Sequence, residues 1–410
     1  MLETQNKSVI ESIFGKRVEL LPSVTELFEL ELAYLEFKSL QKDGFIDRTA
    51  FFKSVNGKFS KHFLLYSNSS VALTQDRSAA TQTYFENGIY STGYATHGLF
   101  PYRGKFHPQL IKGLLNILGI EKGETILDPM CGSGTANIEA ALMGINSFAV
   151  DISPFCQLMT RVKYEALTIP PQLFSKYKLD STKLFEFFQK PESFSKIEKL
   201  EQEKAKVYRL ALLAFLDALG YSKRVKMSTH QQLFEKVLKR YIQTVSEFVS
   251  NKFFIKKNLG DVEVLSDSEA LGIKLKNDSI DCVITSPPYS FAIDYVENDK
   301  AQLEYLGYDI KELKSKMVGL KGKNKDEKLN NYFSDMNIFC SEASRVLKKT
   351  KFFIMIIGSN TNQTGGIRLE ETIINSAKQN GLRLVKSIIK PIKGMRNTMK
   401  DEYILFFQKD

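Results

Sequence analysis

The sequence predicts an α/β protein: a doubly wound, mostly parallel sheet of seven strands, with a helical insertion and an amino-terminal α+β flank. Three observations carry that reading. Seven short apolar or alternating runs recur from residue 124 onward, helix-period runs separate most of them, and residues 163–258 show helix periodicity alone. Alternating strands and helices imply parallel pairing, because parallel neighbours need a long crossover and a helix supplies it while covering one face.

Residues 1–93 form the flank, in which ELLPSVTELFELELAYLEFKSL has helical periodicity and FSKHFLLYSNSSVALT reads as one or two strands. At residue 94 the first part of the sheet domain opens, and YATHGLFPYRGKFHPQLIKGLLNILG runs from a loop into an amphipathic helix. A strand, loop, helix, strand unit follows as ETILD, PMCGSGT, ANIEAALMG and INSFAVD, closing that part at residue 162. The insertion, residues 163–258, is rich in Lys, Glu, Phe and Leu and contains the helix-period runs KIEKLEQEKAKVYRLALLAFLDALG and QQLFEKVLKRYIQTVSEFV. Strands return over residues 259–410 in DVEVLS, SIDCVIT, FFIMIIG, LVKSII and EYILFFQ, alternating with patterns such as YFSDMNIFCSEASRVLKK and LEETIINSAKQNG.

Across 410 residues, 43% are hydrophobic and 25% charged, ordinary for a chain that folds throughout. The formal net charge of +10 favours a polyanionic partner, and the surplus is concentrated between Lys190 and Lys257. Cys131, Cys156, Cys282 and Cys340 follow no metal or CxxC spacing and sit mostly in apolar runs, as buried thiols in a reducing compartment do. His62, His97, His107 and His230 form no ligand pattern either, so no metal site is expected. No segment approaches 18 consecutive apolar residues, and the amino terminus lacks a basic region followed by an apolar run; the expected location is the cytoplasm, with no membrane role.

In an open α/β sheet the ligand lies beyond the carboxyl ends of the strands, where the first strand turns into the first helix. DPMCGSGT occupies that place. Gly132 and Gly134 let the backbone turn sharply against a ligand, Asp128 offers a hydrogen-bond acceptor, and Asp151 ends the next strand, where a carboxylate can take ribose hydroxyls. The loop lacks GxxxxGK[ST] and the full GxGxxG, which points to a phosphate-free nucleoside such as S-adenosylmethionine rather than a nucleotide.

DPMCGSGT, its helix and the terminal acid resemble motifs I and II of the class I S-adenosylmethionine-dependent methyltransferases. That resemblance implies a Rossmann-like methyltransferase sheet, with cofactor contacts from Asp128, Pro129, Cys131, Gly132, Gly134, Thr135, Asp151 and Ile152. By the same resemblance Asp267 is the motif III acid that reads the adenine amino group. GKFHPQL resembles motif X, in which Phe106 packs on the cofactor.

TSPPY, Thr285 to Tyr289, stands at the end of the strand SIDCVIT and resembles motif IV of the amino-methyltransferases. Pro287 and Pro288 fix φ and remove two backbone donors, holding nearby acceptors in place. An exocyclic base amine is a poor nucleophile because its lone pair is delocalised into the ring. Acceptors at Ser286 and the Pro287 carbonyl localise that lone pair, and Tyr289 stacks on a base rotated out of the duplex. Ser in the first position is associated with cytosine N4 in this family, so the resemblance implies a site-specific DNA cytosine-N4 methyltransferase, the modification part of a restriction-modification system with a cognate endonuclease. Adenine N6 stays open as the target. RNA guanine N2 stays open as well, because DPMCGSGT with IEAA resembles the first motif of RNA guanine-N2 methyltransferases. Cytosine C5 chemistry needs a catalytic-loop Cys, and Cys282 lies within the strand while Cys131 lies in the cofactor loop.

The resemblance covers residues 95–160 and 260–410, with the motifs in the order X, I, II, III, IV, whereas many N4-cytosine enzymes place motif IV first. The insertion matches nothing specific. Its cationic surplus suits DNA phosphates, with Lys236, Lys239 and Arg240 as the expected contacts, and the basic loop KELKSKMVGLKGKNKDEK is expected to close over the flipped base.

Overall fold

A computed structural model describes residues 10–15, 18–21, 23–40, 48–59, 93–102, 104–190, 192–223, 228–250, 259–288, 294–358, 364, 366–392 and 401–410. In the flank, β1 (Val18–Leu20), β2 (Phe52–Val55) and β3 (Lys58–Phe59) form an antiparallel sheet in that order, with helix α1 (Leu27–Ser39) between the first two. The predicted helix therefore begins later than its periodicity suggests. Val18 to Leu20 pair with β2 instead, and Glu29 starts the helix by accepting the Glu26 backbone N–H at 2.9 Å. Most of the predicted strand over FSKHFLLYSNSSVALT lies outside the described residues.

The sheet domain runs α2 (Pro108–Ile117), β4 (Thr125–Asp128), α3 (Thr135–Leu142), β5 (Asn146–Ala149) and α4 (Pro154–Ala166). The insertion follows as α5 (Gln172–Lys176), α6 (Ser181–Phe188), α7 (Ser193–Ile197), α8 (Gln202–Ser222) and α9 (His230–Ser250). The chain then forms β6 (Val262–Val264), β7 (Ile280–Thr285), α10 (Tyr295–Asn298), α11 (Lys300–Tyr305), α12 (Ile310–Lys316), α13 (Lys325–Val346), β8 (Leu347–Gly358), α14 (Leu369–Gln379), β9 (Leu382–Pro391) and β10 (Asp401–Lys409).

Seven strands pair in the order β6-β5-β4-β7-β8-β10-β9. The first five are parallel, and β10 runs antiparallel to both of its neighbours. Alternate residues feed opposite faces, as strand geometry requires. Ile126, Cys282, Ile284 and Ile354 enter the core shared with α2, α3 and the flank, whereas Leu127, Val283, Phe353 and Met355 pack toward α13 and α14. Helices on both faces make the fold the doubly wound, Rossmann-like α/β sheet.

From β4 the chain steps outward through β5 to β6, then returns to the other side of β4 as β7. Strand order reverses between β4 and β7, and the crevice beyond their carboxyl ends is where such sheets bind ligands. The insertion departs between β5 and β6, and its apolar core is built around Phe215 and Phe234, whose rings meet each other and those of Phe185 and Phe188. That core is continuous with α4 and with Val296, Leu303 and Leu313 of α10 to α12. All four cysteines are buried and free. Among the described residues no helix is long and apolar enough to cross a membrane.

Candidate active site

The loop after β4 is shaped by two glycines. Gly132 and Gly134 have φ of +51° and +73°, in the left-handed region, and a Cβ on Gly134 would approach Thr160 Oγ1 to 2.6 Å. A side chain there is both strained and obstructed. The loop is tied to the next strand end. Cys131 N–H donates to the Val150 carbonyl at 2.9 Å, and Gly132 N–H donates to Asp151 Oδ2 at 2.8 Å.

Asp151 Oδ1 accepts the Ser153 N–H at 2.8 Å, so each carboxylate oxygen already holds one backbone donor. Burial nevertheless pushes its pKa up to about 6, against those two bonds. Asp128 is fully buried and accepts from Thr285 Oγ1 at 2.8 Å and from Met130 N–H at 3.2 Å. Among the described residues its Oδ2 has no partner, and burial pushes its pKa to about 7. The Thr285–Asp128 bond joins the ends of β4 and β7, and with them the Gly-rich loop and the Ser-Pro-Pro segment.

Both segments line one cavity of about 1050 Å³, its open mouth included. Phe106, Pro129, Cys131, Gly132, Thr135, Asp151, Ile152, Ser286 and Pro288 all lie on its walls. Asp128, Gly134 and buried Pro287 stand behind that lining and shape it. Tyr289 lies outside the described residues.

Asp267 is placed elsewhere. Its side chain is 75% exposed and pairs with Lys274 at 2.8 Å. After β6 the chain turns, Glu269 and Gly272 form a bridge, and Ser268 Oγ accepts the Lys274 N–H at 3.0 Å, so Glu269, Ala270 and Leu271 face the cavity instead. In the basic segment that follows, Leu313, Lys316, Met317 and Val318 form part of the cavity wall. Lys236 and Lys239 are exposed on α9, whereas Arg240 is ion-paired to Asp217 at 2.9 Å.

Several lining residues carried no sequence signal. Tyr102, before α2, stacks on Tyr295 of α10 with centroids 6.2 Å apart and planes 16° apart, and burial pushes the Tyr102 hydroxyl well above its usual pKa. Asp299, between α10 and α11, lines the cavity and is 8% exposed. Burial, and then the nearby charge of Asp151, push its pKa to about 7. The segment bearing Tyr102 and Phe106 is anchored from below, where His97 Nε2 lies 2.8 Å from Glu139 Oε1 of α3 and Lys105 Nζ donates to the His97 carbonyl at 3.1 Å. Burial lowers the His97 pKa and favours its neutral form.

The lining suits a nucleoside with an amino-acid tail: glycines where a Cβ would intrude, a strand-end carboxylate with lone pairs to spare, apolar walls and, among the described residues, no cluster of cations for a phosphate. Among the described residues no group of His, Cys, Asp and Glu could hold a metal ion.

Comparison with known proteins finds two separate family matches along the chain. Residues 99–183 match the family described as RMKL-like, methyltransferase domain, and residues 280–410 match the family described as DNA methylase. Over 301 residues the chain is 25% identical to Type II methyltransferase M.BsoBI of Geobacillus stearothermophilus, covering 58% of this chain and 59% of that protein. It is 33% identical over 162 residues to Type II methyltransferase M.MjaII of Methanocaldococcus jannaschii, covering 37% of this chain and 30% of that one. A tRNA (guanine(10)-N2)-dimethyltransferase of Methanothermobacter thermautotrophicus is 43% identical over 53 residues, 13% of this chain and 16% of its own length. The match thus spans about three fifths of the length of M.BsoBI and less than a third of M.MjaII.

Proposed function

We propose that this chain is an S-adenosylmethionine-dependent DNA methyltransferase acting on an exocyclic base amine, cytosine N4, as the modification partner of a restriction endonuclease. The observation that carries the reading is the convergence of the Gly132 loop, Asp151, Ser286 and Pro288 on one cavity at the β4/β7 reversal, fastened by the Thr285–Asp128 bond. Support also comes from the DNA methylase match over residues 280–410 and from relatives named as Type II methyltransferases.

S-adenosylmethionine, when bound, supplies an electrophilic methyl group on a sulfonium. Gly132, Asp151, Ile152 and Phe106 would hold it, Asp151 through ribose hydroxyls and Phe106 through its ring. The apolar walls exclude water and strengthen each polar contact within them. Ser286 Oγ accepts a hydrogen bond from the target amine, and the Pro287 carbonyl accepts the second hydrogen, so the nitrogen lone pair turns toward the methyl donor. Such acceptors stabilise the transition state more than the ground state, because the amine hydrogens grow more acidic as nitrogen takes on positive charge. Tyr289 stacks on the base after it leaves the duplex, offsetting an unstacking cost of about a few kcal/mol. Ser286 rather than Asp or Asn favours cytosine over adenine. Lys236 and Lys239 of α9 are exposed and suit phosphate contacts.

A second reading, RNA guanine N2, is favoured by the RMKL-like match over residues 99–183 and the short tRNA-methyltransferase match. One experiment separates the targets: mass spectrometry of nucleosides from DNA and RNA of cells expressing the wild type or Ser286→Ala. N4-methylcytosine in DNA, lost with Ser286→Ala, is the expected result. N6-methyladenine overturns the role of Ser286 in base choice, and a modified nucleoside confined to RNA overturns the DNA assignment.

A further inference from the structure

We infer that Asp299 is a second ribose-binding carboxylate, accepting a sugar hydroxyl of the bound nucleoside alongside Asp151; this rests on the cofactor reading above. The backbone of Asp299 is fixed. Its N–H donates to the Tyr295 carbonyl at 3.0 Å, and its own carbonyl accepts the Gln302 and Leu303 N–H groups at 3.0 Å each. It heads α11 as the N-cap, yet its side chain makes no capping bond.

The residue is 8% exposed and lines the cavity, and its carboxylate forms no hydrogen bond or ion pair among the described residues. Buried carboxylates are ordinarily paired, so one left open in a cavity wall points to a ligand donor. Among the described residues no neighbouring cation takes that place. Lys316 on the same wall pairs with Glu312 at 2.7 Å, Lys300 with Glu297 at 3.4 Å, and Lys314 with Asp294 and Glu297 at 2.8 Å each. Lys105 is committed to the His97 carbonyl.

The position of Asp299 selects among donors a nucleoside can offer. The Tyr102 ring links the two acids: it lies 3.2 Å from where a Cβ on Gly132 would stand, Gly132 N–H donates to Asp151, and the ring stacks on Tyr295, whose carbonyl accepts the Asp299 N–H. Asp151 stands at the carboxyl end of β5 with one backbone donor on each oxygen. A cis-diol has two hydroxyls to donate, and a second carboxylate beside Asp151 gives each its own acceptor. The α-ammonium belongs to the other end of the ligand.

The test is calorimetric titration of wild type, Asp299→Asn and Asp299→Ala with S-adenosylhomocysteine and with 5′-methylthioadenosine, which keeps the diol and lacks the amino acid. Asp299→Ala is expected to weaken both ligands by roughly 10- to 100-fold, the size of a lost hydrogen bond to a charged group. Asp299→Asn, still an acceptor, should lose less. Each ligand-free variant should melt at or above the wild-type temperature, because an unpartnered buried acid has been removed; a merely structural residue would lower it. Unchanged affinities for both ligands overturn the proposal. So does a loss confined to S-adenosylhomocysteine, which assigns Asp299 to the amino-acid end. A wild type that binds neither ligand removes the cofactor reading itself.

Discussion

At the strand ends the cavity is held by hydrogen bonds among residues fixed on β4, β5 and β7: Thr285 to Asp128, and Gly132 and Ser153 to Asp151. Across from them, the wall made by α10 to α12 is held by apolar packing on the insertion, with few polar ties. Gln302 Nε2 donates to the Leu216 carbonyl at 3.1 Å, and Tyr305 OH to the Phe188 carbonyl at 2.7 Å. Directional bonds fix one side. Packing holds the other side only as well as the insertion's own core is held. The insertion is thus part of the site's support, whatever else it binds.

Removing a ring from that core should give the largest effect. Phe188 is fully buried among Phe185, Phe215 and Phe234, and Phe188→Ala should lower unfolding free energy by about 3–5 kcal/mol in urea titrations. Because α11 leans on this core, S-adenosylhomocysteine affinity should fall with it. A variant that loses stability while keeping full affinity would show that the two sides are independent.

Thr285→Val tests the opposite side and should cost about 1–3 kcal/mol, with a pH signature. Burial pushes Asp128 from its ordinary 3.8 to about 7, so its ionisation opposes folding by an amount that grows as pH rises from about 4 to about 7 and is fully present above that. The Thr285 hydroxyl offsets part of that penalty, and removing it moves the pKa higher. Destabilisation should therefore be greater at pH 8, where the wild-type carboxyl is ionised, than at pH 5, where it is protonated in both proteins. Equal losses at the two pH values would mean that the hydroxyl acts only by packing.

The same contrast explains what was legible in the sequence. DPMCGSGT and TSPPY could be read because each is a local solution: φ values only Gly adopts easily, prolines that fix a turn, an acid at a strand end. Strand alternation placed them at the same edge of one sheet. Asp267 is exposed and Glu269 lines the cavity because a turn of a few residues decides which of the two faces inward, and neighbouring acids look alike in sequence. Asp299, Tyr102 and Tyr295 were unreadable for a different reason. Their place in the wall depends on how α10 to α12 pack on helices roughly 80 to 140 residues earlier in the chain, and no spacing encodes that. Thr285 lay inside the motif, yet its role appears only once β4 and β7 are neighbours.

The smallest effect separates three cations on α9 that look alike in the sequence. Lys236 and Lys239 are exposed, while the Arg240 guanidinium meets Asp217 Oδ2 at 2.9 Å, with side chains 46% and 6% exposed. Asp217 also accepts from Tyr241 OH at 3.0 Å, and that hydroxyl takes the Phe100 N–H at 2.7 Å, so Arg240 caps a chain reaching from the insertion to the loop before Tyr102. A cation already neutralised releases few counterions from DNA. If α9 meets the duplex, Lys236→Gln and Lys239→Gln should each reduce the slope of log affinity against log salt by about 0.9 for every phosphate no longer neutralised. Arg240→Gln should leave that slope unchanged and lower stability by under about 1 kcal/mol, the scale of a half-exposed ion pair. Filter binding across a salt series, beside thermal melts, reads both quantities. A slope that falls with Arg240→Gln would place the guanidinium on DNA and make Asp217 a partner exchanged on binding, whereas slopes unchanged in all three variants would move the duplex away from α9.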